Sequence, residues 1–344
     1  MNYPARALFI QLRRIGDVLM CTPAVRAFKK RFPECKLDFL TETPDVLQGN
    51  PYLNSIIEAD ISGKMSLPYQ VRLINKIRGN KYDLVVDFLV NPRSAYYSFF
   101  SGAETRLSYG FGHRRWAYNI VPAKSREPIY AAIDRLRLLE AIDVKPDGPA
   151  LDFFVSEKDR EETRRLIENR DGRMLVTLSP VARRKIKRWP LKNYAALANM
   201  LVGELGAAVV ILAGPGEDEF AQTVARGMRN AVQVPRVTSL GALGAIFQMA
   251  ALHIGNDNGP KHIAVACGAP TVTIFGSLSH VGWTYPDYVR HRWVIASESC
   301  EDCRQGRHKL GPKCIMRIPA RDVFDRARQM IEALNLGPLV YPKT

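Results

Sequence analysis

No apolar run in this 344-residue chain approaches the roughly 18 consecutive positions of a membrane-spanning helix. The first residues, MNYPARALFIQLRRIGDVL, place no uninterrupted apolar stretch behind a basic head, so a secretory leader is not expected either. The expectation is a cytoplasmic protein, at most peripheral on a membrane. Cysteine is sparse: six residues, three of them clustered near the end, are too few for a disulfide scaffold in a chain this long. No G-x-G-x-x-G follows the first strand-like run and no G-x-x-x-x-G-K-[ST] occurs anywhere, which demotes nicotinamide dehydrogenases and P-loop enzymes. The absence of short repeats and low-complexity tracts argues against a solenoid. Acidic residues are also short, 34 Asp+Glu against 49 Lys+Arg, leaving a formal charge of +15 and a pI near 9.7. Such a surplus calls for an anionic partner or surroundings: nucleic acid, acidic membrane or a phosphorylated small molecule. The basic residues are dispersed between apolar elements and no nucleic-acid-binding signature is present, so a nucleic-acid or anion-binding protein without catalysis is kept only as an alternative.

What is present is an alternation of strands and helices. Ala7 to Leu12 is a near-continuous apolar run, as in a parallel strand covered on both faces. A helical pattern starts at Asp17, where Pro23 predicts a kink or a restart with Thr22 as the new cap. Further strand-like runs fall at Lys36 to Leu40, Ser55 to Glu58 and Leu84 to Phe88. Ile129 to Ile142 reads as a helix, and Glu157 to Asn169 as a charged helix able to bridge two lobes. A second series follows, with strands at Met174 to Leu178, Ala208 to Ala213, near Val232, at His253 to Gly255 and Thr271 to Phe275, and a last one at Val294 to Ala296. Two such series predict an α/β chain of two Rossmann-like, doubly wound parallel-sheet domains facing a central cleft. The expected bounds are 1–156, 157–318, and a terminal amphipathic helix and tail, 319–344, packing back toward the N-terminal domain.

The stretch GNDNGPKHIAVACGAPTVTIFG, Gly255 to Gly276, has a strand end, a turn and a helix start with Pro260 in its first turn. Helix amides at such a start can meet a phosphate, although glycines that only make turns would look the same. After the strand ending at Leu178 comes Ser179 and then five basic residues in six positions, Arg183 to Arg188, backed by Trp189-Pro190. A cation cluster at a strand's carboxyl end suits a diphosphate clamp better than a solvated loop. The loop Gly214-Pro215-Gly216-Glu217-Asp218-Glu219 offers carboxylates to sugar hydroxyls or to the cap of the next helix. Asp17, where the first strand tip meets a helix, is either a helix-dipole carboxylate or a general base, with Gly16 allowing close substrate approach.

In this order, Arg13-x-x-Gly16-Asp17-Val18-Leu19, Lys187-Arg188-Trp189-Pro190, Gly214-Pro215-Gly216-Glu217-x-Glu219 and Asn256-Asp257-x-Gly259-Pro260-x-His262 resemble glycosyltransferase family 9, the ADP-heptose:lipopolysaccharide heptosyltransferases. The resemblance covers nearly the whole chain. It implies a GT-B fold, with acceptor held by the first domain and nucleotide-sugar by the second, and inversion at the anomeric carbon without a catalytic metal. Asp17 would deprotonate the acceptor hydroxyl, and Lys187 would stabilise the leaving diphosphate. Ser179, Arg183, Asp257, Asn258, Gly259, Pro260 and His262 would contact the donor, ADP-heptose, with Glu217 or Glu219 at its nucleoside end. The family also carries other sugar donors and protein acceptors as alternatives. Ala182, Arg183 and Asn258 depart from the small hydroxylated residues or threonine frequent at those positions, which bears on which sugar is transferred. For an anionic inner-core acceptor, and for anionic lipid at the inner membrane surface, the first domain supplies Arg13, Arg14, Lys29, Lys30, Arg93 and the run His113-Arg114-Arg115-Trp116. Cys300, Cys303, His308 and Cys314 form a C-x2-C-x4-H-x5-C cluster whose spacing permits a structural zinc or iron site, reduced thiols or a disulfide.

Overall fold

The computed structural model describes residues 3–60, 66–125, 127–167, 172–229, 234–235, 237–276, 280–296 and 314–337. The chain divides into two compact units, Met1–Phe154 and Val155–Thr344. In the first, β1 (Arg6–Ile10), β2 (Lys36–Thr41), β3 (Ser55–Glu58), β4 (Leu84–Asp87) and β5 (Thr105–Leu107) form a parallel sheet in the order β3-β2-β1-β4-β5. β4 is buried from end to end and β1 everywhere but at Arg6, which is why both read as apolar runs rather than alternations. β5 is only three residues long and half-buried, too short to be legible in the sequence.

The helical stretch after β1 does restart at Pro23. α1 (Ile15–Leu19) ends, and α2 (Thr22–Arg31) begins with Pro23 in its first turn, though Cys21 and not Thr22 takes the cap position. Thr22 turns its hydroxyl back to the Leu19 carbonyl instead, 2.8 Å away. α3 (Leu67–Gly79), α4 (Pro92–Phe100) and α5 (Ala131–Leu139) are the other helices of this unit among the described residues.

In the second unit β6 (Leu175–Ser179), β7 (Ala208–Ile211), β8 (Leu252–Asn256), β9 (Thr271–Phe275) and β10 (His291–Ile295) make another parallel sheet, ordered β10-β9-β8-β6-β7. Among the described residues its helices are α6 (Glu157–Leu166), α7 (Leu191–Leu205), α8 (Asp218–Arg226), α9 (Leu240–Met249), α10 (Gly259–Ala266) and α11 (Ala320–Ala333). α7 ends on Gly206 at φ +63°, the left-handed conformation that glycine adopts without a Cβ penalty. The charged helix α6 packs on α9 within the second unit. One expectation is corrected. The terminal helix, expected to pack toward the N-terminal domain, puts Val323, Phe324, Ala327 and Met330 into the core of the second unit beside Leu197, Leu201 and Ile274. Its i, i+4, i+7 stripe is the missing cover of that sheet. The strand anticipated near Val232 lies outside the described residues. Among the described residues no helix is long and apolar enough to cross a membrane.

A polar row runs across the second sheet. Thr177, His253, Thr271 and His291 stand in register on β6, β8, β9 and β10. Thr177 Oγ1 lies 3.0 Å from His253 Nδ1, and Thr271 Oγ1 lies 3.0 Å from His291 Nδ1. Burial favours the neutral imidazoles and lowers their pKa, to about 3 for His253 and about 4 for His291. Between pH 6.5 and those values the unfolded chain binds protons that the folded chain refuses, so stability is present above 6.5 and is lost as the pH falls. Each histidine should cost up to about 1.4 kcal/mol per pH unit in that window. Urea unfolding of the parent and of His253→Asn and His291→Asn from pH 7 to pH 4.5 should show a flatter pH dependence in each variant; parallel curves would contradict the neutral assignment.

Candidate active site

Each sheet has one place where neighbouring strands are followed by connections running in opposite directions, and ligands in open α/β sheets bind outside the carboxyl ends of such strands. In the second sheet that place lies between β6 and β8, and the loops leaving these two strands carry most of the donor residues singled out by sequence, while Glu217 and Glu219 follow β7. Ser179 ends β6 and the basic loop follows it. Asn256 ends β8, and Asp257-Asn258 lead into α10.

Three consecutive side chains of the second loop hold the first. Asn256, fully buried, accepts the Trp189 amide at 3.0 Å and donates to the Pro180 carbonyl at 2.9 Å. Asn258 donates to the Val181 carbonyl at 2.8 Å and caps α10 by accepting the Lys261 amide at 3.1 Å. Between them, Asp257 forms an ion pair with Lys187 through Oδ2. Trp189 completes the frame, donating its indole N–H to the Ile318 carbonyl at 2.9 Å and packing edge-on against Tyr194. Gly276, read from sequence as part of the phosphate turn, has a packing reason as well. A Cβ there would lie 3.0 Å from the Ile186 carbonyl, so its absence lets the 3₁₀ turn Lys185–Lys187 approach the end of β9.

Asp257 serves a second cation that sequence reasoning missed. Lys261, one helical turn on, is 2% exposed, against 35% for the Lys187 side chain. Its ammonium lies 3.3 Å from Asp257 Oδ1, donates to the Trp283 carbonyl at 2.5 Å and sits 5.3 Å from the centre of the Phe275 ring. Burial disfavours the Asp257 carboxylate, yet the ammonium groups of Lys261 and Lys187, with His262 Nε2 at 3.9 Å, overcome it and hold its pKa low. Burial of Lys261 outweighs its attraction to Asp257 and lowers that pKa below the ordinary lysine range. Trp283 stands over the pair, its ring centre 5.9 Å from Lys187 Nζ and 6.0 Å from the His262 ring. A lysine in the first turn of a helix, where the dipole favours acids, was the available signal for Lys261; nothing local marked Trp283.

The other donor residues divide. Gly259 and Pro260 open α10; Asn258 takes the Lys261 amide, proline has none, and the Gly259 N–H has no partner among the described residues. Ser179 Oγ is buried without a hydrogen-bond partner among the described residues. Arg183 is exposed, whereas Arg188 folds back onto the Ala182 carbonyl at 2.5 Å and over Phe220. Of the basic cluster, Lys187 is the member drawn to Asp257. Glu217 closes its own loop by accepting the Gly214 amide at 3.0 Å, while Glu219 is exposed in the first turn of α8. Cys300, Cys303 and His308 lie outside the described residues; Cys314 is buried just before the turn Ile315–Arg317.

In the first unit the corresponding place lies between β1 and β4. Asp17 is the third residue of α1, with Oδ2 3.4 Å from the Arg14 amide and Oδ1 3.4 Å from Arg135 of α5. The guanidinium, 118 positions away in sequence, orients the carboxylate and leaves it one-third exposed. Cys21 beneath it is inert: burial pushes its thiol up to about 12. Arg13 and Arg14 are exposed beside Asp17. Three other cations expected to face the acceptor have local duties. Arg93 is ion-paired with buried Glu42, Lys30 with Asp147 at 2.6 Å, and Lys29 donates to the Pro33 and Cys35 carbonyls. Arg114 and Arg115 sit on the 3₁₀ turn Gly112–Ala117.

Removing the shared carboxylate should strand Lys261 as an uncompensated buried charge. Asp257→Asn is expected to lose about 3 kcal/mol in urea unfolding, and the further change Lys261→Met should recover most of it. Lys187→Met alone, at a half-exposed position, should cost far less; a loss in Lys187→Met equal to that in Asp257→Asn would refute the division of roles.

A model of glycosyltransferase family 9 (heptosyltransferase) matches residues 70–313. A lipopolysaccharide heptosyltransferase 3 of Escherichia coli is 29% identical over 95% of this chain and 99% of its own. Among solved structures, a family 9 glycosyl transferase from Veillonella parvula DSM 2008 matches with a TM-score of 0.82 at 22% identity, covering 97% of this chain and 99% of that one. E. coli heptosyltransferase WaaC, solved with ADP-2-deoxy-2-fluoro heptose, matches with a TM-score of 0.71 at 17% identity over 94% and 99%. The architecture is the GT-B fold, and the chain belongs to glycosyltransferase family 9, the heptosyltransferases.

Proposed function

We propose that this protein transfers heptose from ADP-heptose to an anionic inner-core lipopolysaccharide acceptor, with inversion at the anomeric carbon and no metal in the catalytic step, at the cytoplasmic face of the inner membrane. The observation that carries the reading is the Lys187 ammonium, fixed by Asp257 outside the carboxyl ends of β6 and β8. A held cation there, next to the open amide at the start of α10, suits a group whose negative charge grows as it leaves. The names of the relatives support heptose and lipopolysaccharide as donor sugar and acceptor class.

In the proposed reaction Asp17 takes the proton of the acceptor hydroxyl while its oxygen attacks the anomeric carbon. The bond from that carbon to the diphosphate breaks with its electron pair, and ADP leaves with its added charge met by Lys187. Asp257 and Lys261 set where Lys187 stands; Arg135 sets where Asp17 points. Ser179 Oγ, buried and open, is a donor for a phosphate or sugar oxygen, and Arg183 is free to close on the diphosphate. Glu219, rather than Glu217, is left available to the nucleoside end. Arg13 and Arg14 are the acceptor cations nearest the base in sequence.

Purified protein incubated with ADP- and UDP-sugars and truncated core acceptors should yield a product heavier by one heptose from ADP-heptose alone. Asp17→Ala should lower kcat by roughly a hundredfold or more while ADP affinity stays within about threefold, since proton transfer and not donor binding is removed. Lys187→Ala should lower kcat by about the same order and weaken ADP as well. Turnover retained in Asp17→Ala would remove Asp17 as the base, and transfer from a UDP-sugar or to a peptide would redirect the donor or acceptor assignment.

A further inference from the structure

The first unit carries an aromatic surface that neither its core nor the proposed chemistry uses. Tyr96, Phe99 and Phe100 follow the i, i+3, i+4 spacing of one face of α4, opposite the buried Ala95 and Ser98. Trp116, on the turn Gly112–Ala117, lies against them. Ring centres are 5.0 Å apart for Phe99 and Trp116, 5.7 Å for Tyr96 and Trp116, and 5.3 Å for Phe99 and Phe100. All four remain between 42% and 50% exposed, though packed on one another. A contiguous exposed patch of large rings marks a surface meant to be covered. Tyrosine and tryptophan suit a boundary where one side of the ring is apolar and the other wet.

The charge around the patch identifies the cover. Residues 66–125 hold nine Lys/Arg against three Asp/Glu, and α3, α4 and the turn contain no acidic residue. Of the three acids, Asp83 accepts the amides of Ala5 and Arg6, and Asp87 is fully buried, leaving Glu104 exposed. Arg114 and Arg115 precede Trp116 directly, and the Arg106 guanidinium lies 5.9 Å over Phe99. The patch also rests on a fixed base. Asp87 Oδ1 accepts the amides of Leu89 and Val90 at the entry to α4, at 2.9 and 3.1 Å, while Oδ2 accepts the Tyr118 hydroxyl, at 2.6 Å, where the turn ends. One buried carboxylate therefore ties together the two elements that present the rings.

We propose that the face formed by α4 and the turn Gly112–Ala117 docks on an anionic lipid bilayer, with Tyr96, Phe99, Phe100 and Trp116 seated among the headgroups and Arg114 and Arg115 on lipid phosphates. This assigns Arg114 and Arg115 to the membrane rather than to the acceptor's own charges. It rests on the proposed function only for the expectation of an anionic membrane nearby, and phospholipid vesicles without donor or acceptor test it separately from transfer.

Full-length protein should cosediment with vesicles of mixed phosphatidylcholine and phosphatidylglycerol at low salt, and much less with phosphatidylcholine alone or at high salt. Phe99→Ser/Phe100→Ser should lose roughly tenfold or more in vesicle affinity while keeping the parent's circular dichroism and ADP affinity. Arg114→Ala and Arg115→Ala should each lose roughly fivefold and flatten the salt dependence. Lipids brominated near the headgroup should quench the parent's tryptophan fluorescence more than that of Trp116→Phe. The proposal fails if the parent does not bind the anionic vesicles, or if the double serine variant binds them as tightly. It fails equally if the parent self-associates in solution through this face and the double variant is monomeric without any change in vesicle binding.

Discussion

The Asp257 carboxylate shared between two ammonium groups is the interaction on which the second unit's site depends. One partner, Lys261, is buried and cannot leave without stranding a charge; the other, Lys187, reaches partly into solvent. The inner pair fixes the acid, and the acid in turn fixes the outer cation. Asn256 and Asn258 on either side bind the backbone of the loop that carries Lys187, so that three adjacent side chains of one loop define the position of the other. Desolvation at Lys261 is the cost of this arrangement, and it shows as a lowered lysine pKa.

The first unit uses the same logic with different chemistry. Arg135 orients Asp17 from another helix, and buried Asp87 gathers the entry of α4 and the end of a distant turn. In both units the polar group of interest stands just past the carboxyl end of a strand at the place where the connections diverge. A parallel sheet buried on both faces supplies rigidity there, and its strand ends supply open loops.

Much of this is legible in the sequence. β3 and β9 have the bounds their apolar runs predict, Pro23 does interrupt the helix after β1, and Lys187 and Asp257 were already prominent from their motifs. The remainder shares one cause. The terminal helix shows its apolar stripe in the sequence but not the sheet that will cover it, and α6 shows its charges but not that Thr163 faces α9. Lys29, Lys30 and Arg93 read as free cations because a carboxylate or carbonyl that neutralises them is invisible to composition.

By itself the sequence marked most of the strands and helices, the α/β class and the family motifs, because hydrophobic period and turn residues are local. Tertiary structure decided which charges meet. Strand order places β8 beside β6, although they are more than seventy residues apart, and that adjacency alone brings Asp257 to Lys187 and makes Asn256 a staple instead of a turn residue. It likewise decided that Gly276 is small so that the Ile186 carbonyl can pass. Electrostatic pairing depends on separation in space and on the water excluded there, and neither quantity is written along the chain.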